Sequence, residues 1–169
     1  VIRSTVDTLS ALPADGTLYT AGTSFGGGTV VSSGSTTSAI ANTALSSGTI
    51  YYYFVFAYNN ATTLRDYLTA NPLTGNAITL SAAPVPTASN VAGFSFDITW
   101  PAVSSANSYV LSVSTNSTFT AFVAGYDSIN ITALTQSLTG LQAGSTYYFR
   151  VKAINASGSS SYGTGNATT

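Results

Sequence analysis

The sequence predicts an all-β protein built from two tandem β-sandwiches. Three observations lead there. Short runs of β-branched and aromatic residues alternate with Gly, Ser, Asn and Pro clusters along the whole chain. No segment carries a helical apolar period. And one long segment occurs twice: Leu45-Ser-Ser-Gly48-Thr-Ile-Tyr51-Tyr-Tyr-Phe-Val55-Phe-Ala57-Tyr-Asn59 lies over Leu141-Gln-Ala-Gly144-Ser-Thr-Tyr147-Tyr-Phe-Arg-Val151-Lys-Ala153-Ile-Asn155 without a gap. Further echoes pair Thr74-Gly-Asn-Ala77 with Thr164-Gly-Asn-Ala167, and Ser4-Thr5 with Ser114-Thr115. The spacing between echoes drifts, so the strands correspond while the loops differ in length. Self-similarity of this kind marks tandem modules.

The divide falls at residues 81–86, where Pro84 and Pro86 cannot donate to a ladder and favour an extended connector. This predicts a first module over 1–80, a linker over 81–86 and a second module over 87–169.

In the second module, Phe94, Phe96, Ile98 and Trp100 alternate onto one face of a strand that Pro101 ends. Tyr109, Leu111 and Val113 share a face of the next. A short edge strand is expected between Phe119 and Tyr126. Ser137 to Leu141 leads into a turn at Gly144. Beyond it Tyr147, Phe149, Val151 and Ala153 point one way and Tyr148, Arg150 and Lys152 the other. A final strand is expected from Ser161 to Thr168.

These residues resemble the fibronectin type III family, an immunoglobulin-like fold. The resemblance rests on Trp100, Tyr109 and Leu141-x-x-Gly144-x-x-Tyr147-x-Phe149-x-Val151-x-Ala153-x-Asn155, and it covers residues 84 to 169. It implies that Trp100 is the central core aromatic. It also implies that the Tyr147 hydroxyl bonds backbone near Leu141 and locks a corner. Tyr109, Leu141, Leu45 and Tyr51 join the expected structural core. The first module keeps Leu45, Gly48, Tyr51, Tyr53, Val55, Ala57 and Asn59, but Val1 to Thr5 corresponds to a third strand. The residues equivalent to 84–110 have no counterpart before Val1, so an incomplete first domain is expected. An inserted stretch between Thr5 and Leu45, with turn signals at Asp15-Gly16 and Gly26-Gly27-Gly28, resembles a variant found in large bacterial secreted or cell-surface proteins.

Composition limits the chemistry. Of 169 residues only 5 % are charged, with four Lys plus Arg, five Asp and no Glu, His, Cys or Met, against about a quarter charged in ordinary domains. Four cations make no stripe for nucleic acid. Without His or Cys there is no common zinc site and no Ser-His or Cys-His nucleophile. Scattered Asp residues make a poor carboxylate pair for hydrolysis. No run approaches the roughly 20 apolar residues of a membrane helix. No catalytic residue, cofactor or metal is therefore assigned.

With Tyr51, Tyr53, Val55 and Ala57 facing a core, Tyr52, Phe54, Phe56 and Tyr58 form an aromatic row on the outer face. Three readings follow. The insert, with Leu18, Tyr19, Phe25, Val30 and Val31, covers the row; or the row contacts another subunit or domain; or it stacks on sugar rings. Five sequons begin at Asn60, Asn116, Asn130, Asn155 and Asn166. Asp15, Asp66 and Asp127 could contribute to a calcium site, but the sequence holds no acidic cluster and turn formation explains them better.

The expected function is a non-catalytic spacer or adhesion module of an extracellular multi-domain protein. Its partners are neighbouring domains or copies, with a protein or glycan ligand as a further option and no nucleic acid or membrane insertion. The alternatives are a filament subunit assembled by strand donation and an accessory module of a secreted polysaccharide-degrading enzyme.

Overall fold

The computed structural model describes residues 1–35, 40, 42–59 and 65–169, and every structural statement concerns these. They form two compact units, Val1–Thr79 and Leu80–Thr169.

The first unit is one five-stranded antiparallel sheet. Its strands are β1 (Ile2–Ser4), β2 (Ser24–Phe25), β3 (Gly28–Val30), β4 (Ile50–Val55) and β5 (Leu73–Ile78), in the order β2-β3-β1-β4-β5. Gly26 and Gly27 join β2 to β3 with φ of 58° and 80°, the doubly left-handed geometry of a type I′ hairpin turn.

The second unit is a closed sandwich. One sheet holds β6 (Thr87–Ala92), β7 (Ser95–Thr99) and β10 (Thr135–Thr139) in the order β10-β7-β6. The other holds β8 (Ser108–Ser114), β9 (Ile129–Ile131), β11 (Thr146–Asn155), β12 (Gly158–Ser159) and β13 (Gly163–Thr168), with β11 paired to β8, β12 and β13. The period-2 pattern of β11 places Tyr147, Phe149, Val151 and Ala153 inward against Phe96, Ile98, Leu111, Val113 and Leu138. Trp100 and Tyr109 close one end, edge to face with centroids 5.6 Å apart. The Trp100 Nε1 is buried without a hydrogen-bond acceptor. The core holds no ionisable group other than tyrosine.

Register turns the sequence echoes into structural ones. Tyr51 stands opposite Ala77 and Tyr53 opposite Gly75, as Tyr147 stands opposite Ala167 and Phe149 opposite Gly165. Ser4 faces Tyr52, as Ser114 faces Tyr148. Strand β1 is thus the counterpart of β8, and β4 and β5 are those of β11 and β13.

Four expectations need correction. Residues 81–86 are not a free connector: Ser81, Pro84 and Pro86 are buried in the second unit, and the Ser81 hydroxyl donates to Ser104 O at 3.1 Å. Gly163 has no side chain because the Pro84 carbonyl occupies the space of its Cβ. Phe94 is 65 % exposed, since it sits in the β6–β7 turn, one residue ahead of the alternation. Residues 119–126 form turns with one isolated bridge, Ser114 to Phe122, and the short strand lies later, at Ile129–Ile131. The Asn116 side chain closes a tight loop there: its Oδ1 accepts from the Thr120 N–H at 3.1 Å and its Nδ2 donates to Thr120 Oγ1 at 2.9 Å. Finally, Leu45 is half-buried, unlike Leu141, which is buried.

Candidate functional site

In the second unit the row Tyr147, Phe149, Val151 and Ala153 is buried and Tyr148, Arg150 and Lys152 are half-buried. In the first unit the sense is inverted. Phe54 and Phe56 are buried, and Tyr52 and Tyr58 are half-buried. On the opposite face Val55 and Ala57 are exposed, and Leu73, opposite Val55, is 73 % exposed. Only Tyr51 of the expected inward row is buried. The expectation that Val55 and Ala57 line a core is therefore corrected. The described residues of the first unit form a single sheet, so the unit has no second sheet of its own to pack on that face.

The inserted stretch causes the inversion. Ile2, Val30, Phe54 and Phe56 form a cluster on one side of the sheet, with Leu9, Tyr19, Phe25, Tyr52 and Tyr67 packed against it. Tyr19 meets Phe25 edge-on at 4.6 Å and Tyr67 at 5.7 Å. Polar contacts fasten the insert. Asp15 Oδ1 accepts from the Tyr67 N–H at 2.7 Å, and the Tyr67 hydroxyl donates to Thr17 O at 2.9 Å. Gly16 N–H donates to Arg65 O at 2.7 Å. Beside the insert, a cavity of about 30 Å³ lined by Pro13, Tyr19, Val30, Phe56 and Tyr67 remains, the space of roughly one water. The row Tyr52, Phe54, Phe56 and Tyr58 is thus not an open contact surface. Leu18 of the insert is 58 % exposed and takes no part in the cover.

The corner tyrosines are arranged alike in both units. The Gln142 N–H donates to the Tyr147 hydroxyl oxygen at 3.0 Å, and the Ser46 N–H donates to that of Tyr51 at 2.9 Å. The Ser46 contact lowers the phenol pKa of Tyr51, and the positive charge of Arg3 adds to this. Arg3 lies over the Tyr51 ring at 5.2 Å and donates to Asn42 Oδ1 at 3.2 Å. It occupies the position of the buried Val113 in the second unit.

The remaining polar candidates serve the framework. Asp15 holds the insert as described, and Asp66 Oδ2 accepts from Asn59 Nδ2 at 3.0 Å. Asp127 Oδ1 accepts from the neighbouring Ser128 hydroxyl at 3.1 Å. Among the described residues, no three acidic, His or Cys side chains come together. Of the sequon asparagines, Asn116 is bonded through both amide atoms. Asn155 is buried and its Oδ1 accepts from the Ser157 N–H. Asn130 and Asn166 are exposed. Asn60 lies outside the described residues.

No family model matches the sequence, and no curated protein is similar to it. Solved structures are. A two-domain fibronectin type III segment of chicken tenascin superposes with a TM-score of 0.51 at 19 % identity, over 72 % of this chain and 66 % of its own. A structure described as FN3tt reaches 0.45 at 20 % identity, over 54 % of this chain and 96 % of that one. The sixth fibronectin type III domain of human fibronectin type III domain containing protein 3 reaches 0.45 at 17 %, over 52 % and 83 %. The chain is all-β, with the fold of two tandem fibronectin type III β-sandwiches, the first represented among its described residues by a single sheet.

Proposed function

We propose that this chain is a non-catalytic structural segment, a spacer or adhesion module of a large multi-domain protein at a bacterial cell surface or outside the cell. One observation carries the reading. In the second unit Leu80 packs beside Gly158, with its Cδ2 3.4 Å from where a Gly158 Cβ would stand. At the other end Thr169 N–H donates to Ser145 O at 3.1 Å. Gly158 and Ser145 flank the two ends of β11, a strand of ten residues, which spans about 30 Å. The backbone thus enters the sandwich at one end of its longest strand and reaches the other. A module threaded in this way adds length to an array. What the two units share is also framework: strand register and a tyrosine-locked corner, with no reactive group in common.

The test is mechanical. Stretching the full chain between tethers at its two ends should give a distinct unfolding event for the second unit, releasing on the order of 300 Å of chain. Extension without a force peak would remove the spacer reading.

The open face of the first sheet favours a second reading, completion by strands from elsewhere, as in a filament subunit built by strand donation. Val55 and Ala57 are exposed where the second unit buries their counterparts Val151 and Ala153, and Leu73, opposite Val55, is exposed as well. Under this reading the isolated chain forms concentration-dependent polymers in which Val55→Lys blocks growth. A strictly monomeric chain at high concentration speaks against it. The accessory-module alternative loses the aromatic row as its sugar platform, because Phe54 and Phe56 are buried.

A further inference from the structure

Half of the chain's four cations stand together on the outer face of β11. The Arg150 guanidinium lies between two rings, with its Cζ 4.4 Å from the centroid of Phe119 and 4.4 Å from that of Tyr162. Phe122 is 5.9 Å away. Lys152, two residues on and on the same face, places Nζ 5.2 Å from the same Tyr162 ring. Aromatic faces attract a cation, but they accept none of its directional N–H bonds. Arg150 Nε is buried and has no hydrogen-bond partner. Among the described residues neither Arg150 nor Lys152 has an ion pair or a side-chain hydrogen bond. A buried, unpaired donor on a charged group is unfavourable.

The walls of this site are held under strain. Phe119 has φ of +56°, a left-handed conformation that a bulky residue adopts only under strain. The loop around it is fixed by Asn116, whose Oδ1 accepts from Thr118 Oγ1 and the Thr120 N–H, each at 3.1 Å, and from Ser114 Oγ at 3.2 Å. Phe119 N–H in turn reaches Asn116 O at 3.3 Å. The Phe119 and Tyr162 rings thus hold the guanidinium in place. A guanidinium fork matches a carboxylate bidentately, and no protein side chain supplies one to Arg150 among the described residues.

The surroundings select the kind of molecule that brings the carboxylate. A protein interface needs an apolar centre. The exposed large hydrophobics of the second unit are Leu80, Val85, Val91, Phe94 and Leu134, and none belongs to β8, β11 or β13. Arg150 instead has exposed Thr164 as its cross-strand neighbour, and the half-buried ring of Tyr148 faces exposed Asn166. Hydroxyl, amide and aromatic groups beside a carboxylate-binding fork suit a sugar acid.

From this we infer that Arg150 and Lys152, walled by Phe119 and Tyr162, form a binding site for the carboxylate of a uronate-containing polysaccharide. This inference goes beyond the structural role and does not depend on it.

The test is calorimetric or NMR titration of the full chain at low ionic strength with hexagalacturonate, its fully methyl-esterified form and hexaglutamate. The expected result is binding of hexagalacturonate that weakens with added salt, with no binding of the ester. Arg150→Lys keeps the charge but loses the planar fork, and should raise the dissociation constant at least tenfold. Lys152→Gln should raise it several-fold while the thermal midpoint stays put. The inference is overturned if hexagalacturonate does not bind, if the ester binds as well, if hexaglutamate binds more tightly, or if binding is indifferent to both substitutions.

Discussion

The ring of Phe149 fills the space that a side chain on its cross-strand partner Gly165 would need: a Cβ there would stand 2.6 Å from Phe149 Cζ. In the first unit the matching pair is Tyr53 and Gly75, and nothing lies within 4 Å of a Gly75 Cβ. Two glycines in the same sequence echo therefore differ in what they permit. Gly165→Ala is expected to destabilise the second unit by about 1–3 kcal/mol through overpacking. Gly75→Ala should stay within about 0.5 kcal/mol. Denaturant unfolding of both variants checks this, and equal effects would contradict the packing described for Phe149.

The inversion of the aromatic row has a paired consequence. Phe54 is buried and Val55 exposed, whereas Val151, the counterpart of Val55, is fully buried. Phe54→Ala should cost the first unit about 3–5 kcal/mol. Val55→Thr should be close to neutral, while Val151→Thr places a hydroxyl in a dry core and should cost the second unit about 1–3 kcal/mol. Hydrogen exchange followed by unit separates the three, and a costly Val55→Thr would mean that its face is covered in solution.

The corner tyrosines are testable by removing one atom. Tyr147→Phe leaves the Gln142 N–H without its acceptor, and a loss of about 1 kcal/mol in the second unit is expected. Tyr51→Phe does the same to Ser46 and should act on the first unit alone. An unchanged unfolding midpoint for Tyr147→Phe would mean that water substitutes for the hydroxyl.

Asp97 carries the pH prediction. Hydrogen bonds from Ser137 and Asn90 hold its carboxyl below the ordinary value of 3.8, and the Asn90 Nδ2 contact is 2.6 Å. A carboxylate whose pKa is depressed on folding binds its proton more readily in the unfolded chain. Its contribution is therefore complete above about pH 4 and is lost as the pH falls through the depressed folded value. The wild-type thermal midpoint should fall toward that of Asp97→Asn between about pH 4 and pH 2, and the two should be offset and parallel above pH 5. An offset that persists unchanged at pH 2 would assign the effect to something other than ionisation.

By itself the sequence determined the β class and the two-unit repeat, because side-chain alternation and the doubled Leu-Gly-Tyr segment are local patterns. Tyr147, Trp100 and Tyr109 were legible as core for the same reason. Tertiary structure alone decided which face of β4 is dry. Phe54 and Val55 are both apolar, so their alternation does not say which of them the insert covers, and the covering residues Leu9, Tyr19 and Phe25 lie far back in the chain. It also decided that Pro84 belongs to the second unit, since a Gly163 without a side chain leaves room for the Pro84 carbonyl. And it decided that Arg150 stands between Phe119 and Tyr162. No spacing rule brings those rings to one guanidinium: they come from two separate loops, and a left-handed turn at Phe119 sets one of them in place.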